Sequence, residues 1–193
     1  NKEYDYRYNT EDLKAVTFKG DWLAMDETFD AYTDAQTIKY YGTSNINLNL
    51  TRPFAKLRVL TTDLTEIRNL DLEADRAVVE YSTPHYSKFN ALTGAPVANE
   101  YINEKEHVIT NIAACGYEDG VLFVDYFFAT ESPETVKFEM AVYDDDEPEP
   151  LKVNNFNTDI PVQRNYLTTI SGNILTDGNN VKVDIVNNGE FEG

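Results

Sequence analysis

Hydrophobic and polar residues alternate with period two along much of the chain, a pattern that predicts strands rather than helices. The clearest case runs from Val136 to Tyr143, where Val136, Phe138, Met140 and Val142 share one face and Lys137 and Glu139 the other. After Arg52-Pro53, Ala55, Leu57 and Val59 alternate with Lys56 and Arg58, predicting a half-buried strand. Pro53 lacks a ladder donor and so suits its start. Just before it, Ile46, Leu48 and Leu50 alternate with Asn45, Asn47 and Asn49, which predicts a strand from Asn45 onward. Val121 to Ala129 is apolar almost throughout, as a central strand buried on both faces would be. Ala77 to Ser82, Val108 to Ala113, Tyr166 to Leu175 and Val181 to Val186 complete the set.

Turn chemistry separates these runs. Thr93-Gly94-Ala95-Pro96, Glu118-Asp119-Gly120 and the loop Thr176 to Asn180, with its Asp177-Gly178 pair, all read as turns or hairpins. No long amphipathic helix is present. The short strands between Asn45 and Val186 predict a mainly β, antiparallel sandwich for residues 45–193, with a closed barrel as the alternative. Residues 1–44 offer the tyrosines of Tyr4-Asp5-Tyr6-Arg7-Tyr8 on one strand face, a turn at Gly20-Asp21, and a short helix over Asp26 to Tyr32. That is too little to bury a core alone. They are either an appendage on the sandwich or the remainder of an N-terminal β domain.

Charge narrows the function classes. Asp and Glu number 34 against 16 Lys and Arg, a net charge of −18. That balance argues against nucleic acid, whose phosphates need basic residues, and against anionic lipid surfaces. No apolar run approaches the roughly 18 residues of a spanning helix. Thirteen Tyr and ten Phe strengthen the β reading.

Little in the sequence points to bond chemistry. Cys115 is the single cysteine, so an internal disulfide and a Cys-based zinc site are excluded, and it reads as a buried, inert thiol at a strand end. His85 falls in a loop composition and His107 at a strand start, and both read as surface residues. No nucleophile elbow or phosphate loop occurs. Asp144, Asp145 and Asp146 open the densest acidic run. Contiguous acids without a turn glycine read as an exposed, self-repelling connection rather than a cation site. No catalytic, cofactor-binding or metal residue is therefore expected, and no cofactor.

Two stretches carry a resemblance. Asn49-Leu50-Thr51-Arg52-Pro53-Phe54-Ala55-Lys56-Leu57-Arg58-Val59-Leu60-Thr61-Thr62-Asp63 and the stretch Ile160 to Thr176, with its Pro161-Val162-Gln163-Arg164-Asn165-Tyr166, resemble segments of the fimbrillin-like proteins of Bacteroidales. Phe89-Asn90-Ala91-Leu92-Thr93-Gly94 and Asp30-Ala31-Tyr32 add to it. The resemblance implies tandem transthyretin-like β-sandwich domains, a lipoprotein precursor exported to the outer membrane, and subunits of cell-surface fimbriae. It also implies an arginine-specific protease that removes an N-terminal strand. Members of that family carry a longer first domain, so this chain starts inside it.

The expected partners are other fimbrial subunits and host or bacterial surface ligands, joined by β-strand addition, with no enzymatic activity. On this reading Pro53 and Gly172 are structural, Gly172 allowing a bulge or close approach, and Arg52 and Arg164 pair with carboxylates or carbonyls. Asn187 to Gly193 is a poor donor strand, so a conventional stalk subunit is not expected. A surface glycan-binding module, with tyrosines as stacking platforms, is the alternative. A carbohydrate-active enzyme would need two close carboxylates in a cleft.

Overall fold

The most apolar run of the sequence lies in the interior of the largest sheet. The computed structural model describes residues 7–39, 42, 45–176 and 180–187, with the backbone alone for Ile185, Val186 and Asn187. In chain order the strands are β1 (Tyr8–Asn9), β2 (Thr17–Phe18), β3 (Phe54–Thr61), β4 (Arg76–Tyr81), β5 (His85–Tyr86), β6 (Phe89–Asn90), β7 (Ala95–Pro96) and β8 (Tyr101–Ile102). There follow β9 (Lys105–Ile109), β10 (Val121–Phe128), β11 (Glu134–Tyr143), β12 (Lys152–Val162), β13 (Tyr166–Gly172) and β14 (Lys182–Asn187). One sheet has the order β14-β13-β3-β10-β5-β8 and a second β12-β11-β4-β9, while β1-β2 and β6-β7 form two-stranded ribbons. Among the described residues the protein is mainly β, its strand pairs antiparallel with one exception. β13 runs parallel to β3, from Leu167 opposite Lys56 to Gly172 opposite Thr61. The single α-helix among the described residues, α1 (Leu64–Arg68), is five residues long, and no described helix could cross a membrane.

Alternation decides which residues meet. On one face of the large sheet, Ala55, Leu57 and Val59 of β3 lie beside Phe127, Asp125 and Phe123 of β10. There they join the inward residues of the second sheet, Val79 and Tyr81 of β4 and Val136, Phe138, Met140 and Val142 of β11, in one hydrophobic core. Rings mark the contact, with the Phe123 centroid 6.3 Å from Phe138 and 6.4 Å from Tyr81.

The opposite face of β3 and β10 carries Phe54, Lys56, Tyr126 and Phe128, and the N-terminal segment covers it. Tyr8 stacks on Phe54 at 5.7 Å, Phe18 on Phe128 at 4.8 Å, and Phe29 packs edge-on to Phe18 at 5.6 Å. Trp22, Met25 and Phe29 therefore belong to the same core cluster as the two sheets. This cover is why Lys56 is buried rather than facing water as the alternation alone predicts. Tyr4 and Tyr6 lie outside the described residues. Tyr8 takes the packing role, its hydroxyl donating to the Phe29 carbonyl.

Three expected elements differ from the sequence reading. Residues 45–50 form no ladder, because the bonds that hold them to the 33–36 arm run through the Asp34 and Gln36 side chains rather than backbone to backbone. The strand expected at Val108 to Ala113 is shifted to Lys105–Ile109, since pairing with β4 sets His107 opposite Val79 and Ile109 opposite Ala77. Ala113–Cys115 turns instead as a 3-10 helix, its Ala114 N–H donating to the Asn111 side chain at 2.9 Å. The helix expected over Asp26 to Tyr32 is a single 3-10 turn, Glu27–Phe29, capped by Asp26 accepting from the Thr28 N–H. The loop pair Asp177-Gly178 and the tail after Asn187 lie outside the described residues.

Candidate functional site

The motifs quoted above assemble at one seam. β3 and β13, the cores of the two longest, are hydrogen-bonded neighbours. At one end, the Arg52 N–H donates to Asn165 Oδ1 at 3.1 Å and the Asn165 N–H to the Phe54 carbonyl at 2.6 Å. Arg52, buried, grips Asp30 with two bonds, Nε to Oδ1 at 2.6 Å and Nη2 to Oδ2 at 2.8 Å, and lies 4.5 Å over the Tyr32 ring. The Asp30-Ala31-Tyr32 motif is thus tied to the Arg52-Pro53-Phe54 motif. Arg164 pairs with Glu131, and its Nη1 is 3.4 Å from where a Cβ on Gly94 would stand.

At the other end Asp63 closes the seam. It accepts from the Leu175 and Thr176 N–H groups and from the Thr176 and Thr61 hydroxyls. Burial pushes the Asp63 carboxyl up, but these bonds outweigh it and hold the group below its ordinary range. Gly172 ends β13 with φ +156°, and a Cβ there would stand 2.7 Å from Val181 Cα and 2.8 Å from the Asn180 carbonyl. Glycine is required because another backbone passes too close for a side chain.

A second constellation is polar and enclosed. Asp125, 1% exposed in mid-β10, accepts from Trp22 Nε1 and Tyr81 Oη, both at 2.9 Å. His107 Nε2 stands 3.3 Å from Asp125 Oδ2 without hydrogen-bond alignment, and His85 Nε2 has no described partner. The Trp22 ring meets both imidazoles edge-on, at 5.3 Å from His85 and 5.1 Å from His107. Burial lowers the His85 pKa to about 4, Asp125 pulling it back up and His107 adding to the lowering. Burial also pushes the Tyr81 hydroxyl well up, with Asp125 adding to it.

Both histidines are therefore corrected, from surface to interior. His85 sits on β5 and His107 mid-β9, 3% and 4% exposed. Asp125 had a sequence signal, a lone acid in an otherwise apolar strand, which must find donors if the strand is buried. Its donors come from other elements, with Trp22 standing 103 positions away.

A third group links the N-terminal segment to the large sheet. Glu27 takes a 2.7 Å bond from Lys56 Nζ and another from the Tyr126 hydroxyl. Burial raises the Glu27 carboxyl, yet the Lys56 and Tyr126 bonds prevail and leave it lowered.

The other singled-out residues are dispersed. Asp144 is buried rather than exposed, its two oxygens taking the Glu73 and Asp146 N–H groups at 2.7 and 2.8 Å. Asp145 and Asp146 are exposed, and no group of three potential metal ligands occurs among the described residues. Cys115 is half-buried in its 3-10 turn, Sγ 3.3 Å from the Asn111 carbonyl, and burial pushes its pKa up. Of the tyrosines, Tyr86 and Tyr101 share a cavity wall, their rings 5.1 Å apart and tilted by 35°.

A family model matches residues 1–193, that of DUF6562, described as a family of unknown function. No curated relative matches the chain by sequence. Among solved structures, the chain is similar to a candidate cell adhesion protein from Bacteroides uniformis, at 16% identity and a TM-score of 0.46, over 74% of this chain and 53% of that one. It is also similar to a candidate cell adhesion protein from Bacteroides ovatus, at 13% identity and a TM-score of 0.37, over 73% and 46%. A candidate adhesin from Bacteroides ovatus matches at 10% identity and a TM-score of 0.40, over 90% and 63%. The chain spans less than two thirds of each of these structures.

Proposed function

We propose that this chain, which belongs to the family of unknown function DUF6562, is a structural component of cell-surface fimbriae or adhesins. Its two sheets read as a transthyretin-like sandwich, exported by way of a lipoprotein precursor. It joins other subunits by β-strand addition, an incoming strand bonding to a sheet edge while its alternate side chains fill pockets. No bond in any substrate is made or broken.

The observation that carries this reading is the seam. The residues that resemble fimbrillins spend their functional groups on one another: Arg52 on Asp30, Asn165 on Phe54, Asp63 on Leu175 and Thr176. They hold a scaffold. Asp125 and His107, buried beside Trp22, Tyr81 and Phe123, support the same view, while His85 also borders the cavity that Tyr86 and Tyr101 line. A glycan-binding module would rest on Tyr86 and Tyr101, whose tilt departs from a coplanar platform.

Immunogold electron microscopy of cells producing the protein tests the proposal. Gold on the outer surface, concentrated at fibre ends or bases rather than spread evenly along shafts, is expected. Gold confined to the cell interior overturns the surface role, and even decoration of shafts overturns the exclusion of a stalk role.

A further inference from the structure

Residues 33–39 and 45–51 run as two arms, joined by two backbone bonds between Thr33 and Thr51, at 2.8 and 3.0 Å. Farther out, the Asn49 N–H donates to Asp34 Oδ2 at 2.9 Å, and Gln36 Nε2 donates to the Asn47 carbonyl at 2.7 Å. These bonds fall on alternate residues, 47, 49 and 51, the pattern of an extended strand held along one edge. In such a strand the N–H and C=O groups of the intervening residues point to the other edge. Those residues are Ile46, Leu48 and Leu50. Their backbone groups bond to no described residue, and their side chains are 50%, 68% and 56% exposed. Among the described residues this extended segment thus presents an unbonded backbone edge together with an apolar face.

Charge identifies the occupant. From Tyr40 to Thr51 the sequence carries no charged residue, in a chain of net charge −18. The longer strands that end the two sheets are charged: β9 by Lys105 and Glu106, β12 by Lys152 and Asp159, β14 by Lys182 and Asp184. Two copies of so acidic a chain repel, and an uncharged edge is where they approach at least cost. A strand that bonds to its own copy antiparallel is self-complementary under a two-fold axis. The symmetric register centred on Leu48 uses the free edge of both copies, sets Ile46 opposite Leu50, and gathers the leucines and isoleucines on one face.

We propose that Asn45–Leu50 is a self-association edge, through which two copies of this chain pair antiparallel across Leu48. This goes beyond the surface role above and does not depend on it, so a strictly monomeric chain leaves that role standing.

Sedimentation velocity of the whole chain over a concentration series, at low and high salt, tests the proposal. A reversible monomer–dimer equilibrium that tightens as salt screens the acidic charge is expected. Leu48→Pro removes an N–H from the free edge while leaving those of Asn47 and Asn49, and it is expected to weaken dimerisation about tenfold or more with unchanged far-UV circular dichroism. As a second measure, Leu48→Cys in a Cys115→Ala background is expected to form a disulfide-linked dimer faster than Leu92→Cys, a leucine of comparable exposure elsewhere on the surface. A monomer at every concentration and salt, a dimer indifferent to Leu48→Pro, or equal cross-linking from both cysteine variants overturns the proposal.

Discussion

Asp125 is an acidic residue in the middle of a strand whose eight residues are all buried. A buried acidic side chain is tolerated only when its oxygens are well bonded, and Trp22 and Tyr81 provide the donors. Asp125→Ala leaves both donors unpaired in the core and is expected to cost about 3 kcal/mol, read as a lower urea midpoint at unchanged slope. His85 brings a pH dependence. Its pKa is about 4 in the fold against about 6.5 unfolded, so the unfolded chain binds the proton first. The His85 contribution to stability is complete above pH 6.5 and is lost as pH falls toward 4, amounting to about 2 kcal/mol by pH 5. Trp22, the single tryptophan, touches His85 and reports the unfolding by fluorescence. His85→Phe is expected to flatten stability between pH 6.5 and 4. The steeper loss below pH 4 should remain, because Asp63, held below its ordinary range, gives up its bonds only when protonated.

At the scale of elements, β3 and β13 are a parallel pair joined across most of the chain, and parallel pairing is slightly less stable per residue, so ties at its ends count. Arg52 and Asp63 supply them. The Arg52 fork matches the Asp30 carboxylate with two bonds, a geometry a lysine cannot reproduce. Arg52→Lys and Arg52→Ala are therefore both expected to lower stability by about 2 kcal/mol or more, measured by chemical denaturation, with lysine giving little rescue. Gly172→Ala places a methyl against Val181 and Asn180. The expected result is faster hydrogen exchange across Tyr166–Gly172 and a loss of about 2 kcal/mol, whereas Gly116→Ala, with open space around it, should cost less.

For the whole molecule, the N-terminal segment is part of the packing. Tyr8, Phe18 and Trp22 lie on Phe54, Phe128 and Tyr81, Phe29 packs edge-on to Tyr8 and Phe18, and Glu27 pairs with buried Lys56. Deleting residues 1–44 strips those rings and removes the Glu27 carboxylate from buried Lys56. The shortened chain is expected to aggregate or bind a hydrophobic dye, and a soluble, cooperatively folding product would show that residues 45–193 need no such cover. Strand identity was largely legible in the sequence. β4, β10 and β11 follow from period-two alternation and from an unbroken apolar run, because a strand's faces are set by neighbouring residues. The candidate site was legible only in part. The motif stretches stand out, but their convergence does not, and Asp125, His85 and His107 read as three unrelated residues.

What the sequence determined alone was local: a mainly β chain, acidic enough to disfavour nucleic acid, with Pro53 at a strand start and glycine where the backbone crowds. The tertiary structure decided everything that joins distant positions. It set β13 parallel to β3, turned both histidines inward, buried Lys56 under Glu27, and left Asn45–Leu50 without the sheet its alternation anticipates. The reason is physical. A strand pattern states which side chains share a face but not what lies opposite, and Arg52 meets Asn165 across 113 positions only after the intervening chain has folded.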